Sequence, residues 1–357
     1  MNKDFLYEMI QTPSPSGAEF DLQKKIIHYM KETVDTFETD VTGNVISVLN
    51  PDSPCKVLLA GHVDEIGLMV TMITDAGLLK VTNVGGIRPA LYLGQKVQIL
   101  TSSGIVNGVV GVNRSLLKNK SLEATDLFID LGASSKEEAL KVVKPGDYVV
   151  AATDYCELMN DCISGRALDN RLGAFIVIEA LRRAKELGAR VGIYSATTVG
   201  EETTMRGAVW AAKRVKPTLA LVVDVTFATD YPDANAEAIG EIEVGGGPVL
   251  ANGSIINNIL NERLATLAKE LNIPVQYEAA PGRTGTDGDR IHLENDGIPL
   301  ALISIPLRYM HSGSEVGSLK DVEQIIELIA QFLVNLEDSI NLSPYQNVLS
   351  SFSKKTR

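Results

Sequence analysis

Apolar and polar residues follow two periods along this chain, and the change of period divides it. Residues 2–11 and 18–34 carry apolar positions three and four apart, the spacing of amphipathic helices. TPSPSG lies between them as a turn, with Ser16-Gly17 as the start of the second helix. Strand-like runs follow at 44–49 and 56–62. From about 68 to 160 the pattern is short β-type runs: LMVTMIT, LLKVTNV, KVQIL, GIVNGVVGV, LFIDLG and DYVVAAT. Turns such as Asp75-Ala76-Gly77 and Ser102-Ser103-Gly104 separate them. One short helix is predicted there, at 136–143, opened by Ser135 with Glu138 at capping-box spacing. Many short strands with little helix predict a small barrel or a sandwich.

After about 163 strand and helix alternate. The spacing predicts helices over 172–188, 205–215, 255–271 and 320–339, and strands over 191–198, 218–224, 274–279 and 299–305. This is α/β texture, and it predicts a three-layer α/β/α sandwich. The β-rich block interrupts it, so the expected architecture is a discontinuous α/β domain, 1–67 and 161–342, with a β-rich, barrel-like insertion at 68–160. Residues 343–357, rich in Ser and basic at the end, are expected to be a frayed tail.

Composition narrows the function. The chain has 357 residues, 45% of them hydrophobic, enough for a substantial core. A net charge of -12 and a pI near 4.9 argue against nucleic-acid partners and against an anionic membrane surface. The N-terminal stretch has no long apolar run, and no segment approaches a membrane-spanning length. Three cysteines, Cys55, Cys156 and Cys162, follow no disulfide or zinc spacing, so thiols in a reducing cytoplasm are expected.

The candidate chemistry sits at the ends of apolar runs. KVLLAGHVDE ends in His62 and Asp64, GIYSATTVGEE in Glu201-Glu202, TLALVVDVT in Asp224 and its neighbours, and LALISIPLRYMHS at His311. Asp169 lies where a loop becomes an apolar helix. Ligands of open α/β sheets bind beyond the carboxyl ends of the strands, so these residues predict one polar site on one rim. Two histidines and three carboxylates suit a pair of divalent ions, with one carboxylate as a bridge. Residues i and i+2 of a strand share a face, so Asp64 is placed to orient His62. Glu201 and Glu202 supply both a ligand and a separate base for water; the alternative is an acidic first turn of a helix. The loop PGRTGTDGDR (281–290) lacks a nucleotide-cradle context, and its Arg283, Thr284, Thr286 and Asp287 are candidate pocket residues. His28 and His292 are expected to be structural.

The motifs GHVDEIG (61–67), ALDNRLG (167–173), GEE (200–202), VVDVT (222–226) and YMHS (309–312) together resemble the M42 metallo-aminopeptidases, which include TET and glutamyl aminopeptidases. VGG (84–86), LFIDLGASSKEEA (127–139) and GTDGD (285–289) fit as well. The resemblance implies a metal-dependent aminopeptidase acting on peptides with two divalent ions, zinc or cobalt, with manganese as an alternative. It implies Asp169 as bridge, His62 and Asp224 on one ion, and Glu202 and His311 on the other. Glu201 is then the general base for a water shared by the ions, with Asp64 behind His62. It further implies that the insertion dimerises, and that dimers build a dodecamer. Two positions depart from the common pattern: Asn170 follows Asp169 where Asp is frequent, and Gly200 precedes the Glu pair where Gln is frequent. The rival readings are a related metal-dependent deacylase and a glycosidase of the endoglucanase type.

Overall fold

Four of the apolar runs form adjacent parallel strands. In the computed structural model, which describes residues 1–152, 154–337 and 340–345, Lys56–His62 lies between Gly192–Thr198 and Leu219–Phe227. Leu300–Leu307 lies beyond Leu219–Phe227, and all four run in one direction. They are buried along nearly their whole length. Strands covered on both faces have no polar side to show, hence continuous rather than alternating apolar sequence. The full sheet has eight strands. Its order is Thr36–Thr39, Val45–Leu49, Gly192–Thr198, Lys56–His62, Leu219–Phe227, Leu300–Leu307, Val249–Gly253, Gln276–Ala280.

Helices cover both faces, which makes the three layers expected. Val57, Leu59 and Val223 pack with the helices Lys3–Gln11, Phe20–Met30, Leu168–Glu186 and Leu319–Val334. Leu58, Ala60 and Val222 point the other way, onto Arg206–Val215. The helix Leu168–Glu186 crosses directly behind the end of Lys56–His62. A Cβ on Gly61 would lie 2.7 Å from the carbonyl carbon of Gly173 and 2.9 Å from the nitrogen of Ala174, so only glycine allows this approach. Leu172, Phe175 and Ile176 anchor the helix in the core, each contributing about 1.5–3 kcal/mol of burial.

The β-rich block closes into a six-stranded barrel, not a sandwich. Its order is Gly67–Ile73, Leu79–Val84, Phe128–Asp130, Gly104–Val110, Lys96–Thr101, Tyr148–Ala151. Leu68, Val81, Val97, Ile99 and Val149 fill it. Closure removes the free edges that short strands otherwise expose. The helix predicted there at 136–143 is shorter, Lys136–Ala139, and is capped by Ser135, which accepts the N–H of Glu138 at 3.3 Å.

Several boundaries differ from the sequence expectation. The second helix is only Phe20–Met30: Ser16 is drawn away by a hydrogen bond to Asp64, and the chain beyond Met30 turns into Thr36–Thr39. The last helix stops at Val334 rather than 339. Thr36–Thr39, Val249–Gly253 and Glu315–Ser318 are strands that the apolar pattern missed. The third of these matters most. With Cys156–Glu157 and Cys162–Gly165 it makes a small antiparallel sheet in which Glu315 pairs with Gly165. That pairing sets the chain leading to Asp169 beside the chain leaving His311. Of the predicted tail, 346–357 lies outside the described residues.

Candidate metal centre

Parallel strands end together, so side chains at their carboxyl ends converge. His62 is the last residue of its strand, in register with Thr198, and Glu201 follows three residues later. Asp224 lies within Leu219–Phe227, and His311 lies in the loop after Leu300–Leu307. The helix Leu168–Glu186 supplies Asp169 from its first turn, where Asp169 and Asn170 depart from helical angles. Asp169 caps no helix. Its carboxylate turns towards the histidines, while Asn170 ties the turn down by donating to the carbonyl of Val223 at 2.8 Å and accepting from the N–H of Gly173 at 2.9 Å.

The seven candidates come together. Asp169 lies between the histidines, with Oδ1 3.3 Å from His62 Nε2 and Oδ2 3.2 Å from His311 Nε2. Asp224 Oδ1 is 3.7 Å from His62 Nε2, and Glu202 Oε1 is 3.8 Å from His311 Nε2. Ligands bonded at about 2.0–2.1 Å in a tetrahedral shell sit roughly 3.3 Å apart, so these separations suit shared cations. One ligand atom each from His62, Asp169 and Glu202 lies within 4.8 Å of the others. Glu201 Oε2 is 3.8 Å from His62 Nε2, and its Oε1 is buried with no hydrogen-bond partner among the described residues.

The electrostatics demand positive charge. Burial, reinforced by Asp169, drives the Glu202 carboxyl well above the usual range. Burial likewise drives Asp224 well above it, with His62 opposing and Asp169 adding to the shift. Burial, with Asp224, Asp287 and Asp64 nearby and only His62 opposing, pushes Glu201 up to about 10. Asp169 goes the other way: burial is overcome by its contacts with His311 and His62. Buried carboxylates this crowded stay ionised together only beside cations. The donor set therefore fits divalent metal.

The supports are visible as well. The nearest acceptor to His62 Nδ1 is the main-chain oxygen of Asp64, at 3.1 Å, with the Asp64 carboxylate at 3.4 Å. That carboxylate also accepts the N–H groups of Glu201 and Glu202, at 3.0 and 3.1 Å, and the hydroxyl of Ser16. Asp64 therefore fixes the glutamate turn as much as the imidazole. His311 Nδ1 faces the carbonyl of Gly86, 2.9 Å away in the barrel segment. Glu65, just after Asp64, is buried against Arg166 and Arg171.

Some sequence candidates lie elsewhere. A cavity of about 430 Å³ opens beside Asp169, Glu202 and His311, and its lining includes Ile66, Leu91, Tyr92, Tyr231, Tyr309 and Met310. The loop 281–290 does not line it. Arg283 is exposed and paired with Asp289 at 3.2 Å, and Thr284 is tied to the same carboxylate. Asp287 turns inward to Thr198 at 2.5 Å, behind Glu201. His28 is exposed on its helix, and His292 Nδ1 faces the carbonyl of Gly288 at 2.9 Å. Nothing in the sequence points to Glu315, and Gly86 stands out there only as part of the VGG motif (84–86), with no role attached.

Comparison with known proteins gives a consistent picture. The family described as M42 glutamyl aminopeptidase matches residues 43–328. A lysyl aminopeptidase of Pyrococcus furiosus is 33% identical over 342 residues, 94% of this chain and 97% of that protein. Among solved structures, a TET aminopeptidase from a marine-sediment Thaumarchaeota archaeon superposes with a TM-score of 0.89 at 34% identity, covering 94% of this chain and 96% of that one. The TET1 peptidase of Pyrococcus horikoshii, which can assemble into a tetrahedron or a large octahedral shell, superposes with a TM-score of 0.83 at 32% identity over 94% of this chain and 99% of its own.

Proposed function

The chain belongs to the M42 glutamyl aminopeptidase family and is an aminopeptidase, and we propose that it removes N-terminal residues from peptides with two divalent cations held around Asp169. Asp169 would face both cations. His62 and Asp224 would complete one position, and Glu202 and His311 the other. The observation that carries this is the division of the Asp169 carboxylate, one oxygen towards each histidine. Zinc or cobalt suits the mixed imidazole and carboxylate set, with manganese as the alternative. When bound, the cations supply Lewis-acid polarisation of the scissile carbonyl and ease deprotonation of water.

The chain's own residues do the rest. Glu201 is beside His62 but outside both groups of proposed ligands, and an oxygen of its carboxylate has no partner. It accepts a proton from the attacking water and returns it to the leaving amine. Asp64 holds the main chain of both glutamates and so keeps Glu201 pointed inward. The cavity between the barrel and the strand ends receives the substrate. We assign 1–67 and 161–342 to the catalytic domain and 68–160 to dimerisation; a cytoplasmic location is part of this reading, supported by cysteines that follow no disulfide spacing.

Aminoacyl fluorogenic substrates test the chemistry. Activity should vanish in excess EDTA and return with Zn²⁺ or Co²⁺. Hydrolysis of β-glucan that survives EDTA would instead select the glycosidase reading, which needs paired carboxylates without metal. Activity on N-acyl amino acids but not on peptides would select the deacylase.

Assembly is proposed on separate grounds. Ile105 and Val109, on the barrel strand Gly104–Val110, are 53% and 45% exposed, and Val112 and Leu117 just after it are 46% and 66% exposed, apolar positions suited to contact with a second copy. A dimer through this face, and a dodecamer of such dimers, would give a particle far above the 38.4 kDa chain. Light scattering of the metal-loaded protein should show it, and a monomer mass at full metal occupancy would eliminate it.

A further inference from the structure

We propose that Glu315, which lies outside the ligand set, is a positioning residue that builds the His311 side of the centre by holding two ligand-bearing segments at once. The inference rests on the two-cation reading above. Glu315 opens the strand Glu315–Ser318 and is 2% exposed. No Lys or Arg pairs with it among the described residues. Its oxygens are used on main-chain donors from two distant segments. Oε1 accepts the N–H of His311 at 2.8 Å, and Oε2 accepts the N–H of Asp169 at 3.1 Å. The side chains of those two residues face each other, 3.2 Å apart. A planar carboxylate thus fixes the spacing of two main chains whose side chains must meet one cation.

His311 is otherwise poorly determined. It sits in a loop with φ of +62°, a left-handed conformation that L-residues adopt reluctantly. Besides the acidic neighbours at Nε2, its ring meets the Gly86 carbonyl at Nδ1. A Cβ on Gly86 would sit 3.2 Å from the imidazole, so a side chain there would crowd the ring and require it to give by a few tenths of an ångström. The centre has a matching device on its other side. Asp64 accepts from Glu201 and Glu202 as Glu315 accepts from Asp169 and His311. Two buried carboxylates therefore hold the main-chain N–H of four residues around the cations. The role calls for a carboxylate, because an amide offers only one acceptor oxygen, and Gln at this position must leave one N–H unpaired.

The test compares Glu315→Gln with wild type, each stripped of metal and then titrated with Co²⁺ by calorimetry, with Tm read before and after loading. The metal-free variant should keep its fold, with a Tm lower than that of metal-free wild type by no more than the cost of one buried N–H left unpaired. Co²⁺ affinity of at least one position should fall about 10- to 100-fold, the range for groups that orient metal ligands, and the Tm gain on loading should shrink. Glu315→Asp, which keeps both oxygens on a shorter arm, should recover part of the affinity. Two Co²⁺ bound with unchanged affinity and an unchanged Tm gain would overturn the proposal. So would loss of the fold in metal-free Glu315→Gln, which would make the carboxylate structural. A wild-type protein that binds no Co²⁺ would refute the two-cation reading itself, a distinct result.

Discussion

Glu201→Gln is expected to lower kcat by about 10²–10⁴ while both cations remain bound, a loss of roughly 3–5 kcal/mol of transition-state stabilisation. The residue is beside His62 Nε2 at 3.8 Å but belongs to neither proposed group of ligands, and Asp169 faces the same nitrogen at 3.3 Å. Removing its basicity should therefore spare the metal positions. The substitution also separates catalysis from folding, through the direction of the pKa shift. In the metal-free protein Glu201 is raised from 4.5 to about 10, burial being the largest cause. A carboxyl raised in this way favours the fold while protonated, below its unfolded value. That contribution is lost as pH rises through the interval from 4.5 towards 10. Gln stays neutral throughout. Metal-free Glu201→Gln should therefore be at least as thermostable as metal-free wild type at pH 8. Peptidase activity near wild type in a metal-loaded variant would remove Glu201 from the base role.

The strand-end residues were legible because two periodic signals coincide there. A buried parallel strand writes itself as an unbroken apolar run, and a charged group at its end has no bland reason to be present. His62, Asp224 and the Glu201-Glu202 pair are all of this kind. Without the family resemblance of ALDNRLG, Asp169 is a polar residue before a helix, which an N-cap explains equally well; the non-helical turn at Asp169 and Asn170 is set by Asn170 bonding to Val223, a contact between distant segments. Glu315 left no signal, because its strand is four residues long and its partners are main-chain groups. The same limit applies to Thr36–Thr39 and Val249–Gly253, short strands made by pairing with neighbours rather than by their own pattern. Gly86 is the clearest case. A glycine in a turn-rich segment looks like turn chemistry, and nothing local says that its carbonyl faces an imidazole from another layer.

Asp169→Asn should lower occupancy of both cation positions, whereas Asp224→Asn should lower one. The geometry makes these unequal. Asp169 presents one oxygen to the His62 side and the other to the His311 side, while Asp224 approaches only His62. Asparagine keeps the shape and one oxygen but loses the charge and turns the other oxygen into an N–H donor, which no cation accepts. Groups that merely orient metal ligands change affinity about 10- to 100-fold, so a charged group facing both cations should cost at least the upper end of that range at each position. In the metal-free protein the carboxylate is also the partner of both imidazoles, and asparagine, with one oxygen left, should keep an acceptor at Nε2 for only one of His62 and His311. Equilibrium dialysis against Co²⁺ or Zn²⁺, followed by elemental analysis, measures the stoichiometry directly. About two cations per chain in wild type, about one in Asp224→Asn and well below one in Asp169→Asn is the expected series. Two tightly held cations in Asp169→Asn would dismiss the bridge, and a loss equal to that of Asp224→Asn would assign Asp169 to a single position.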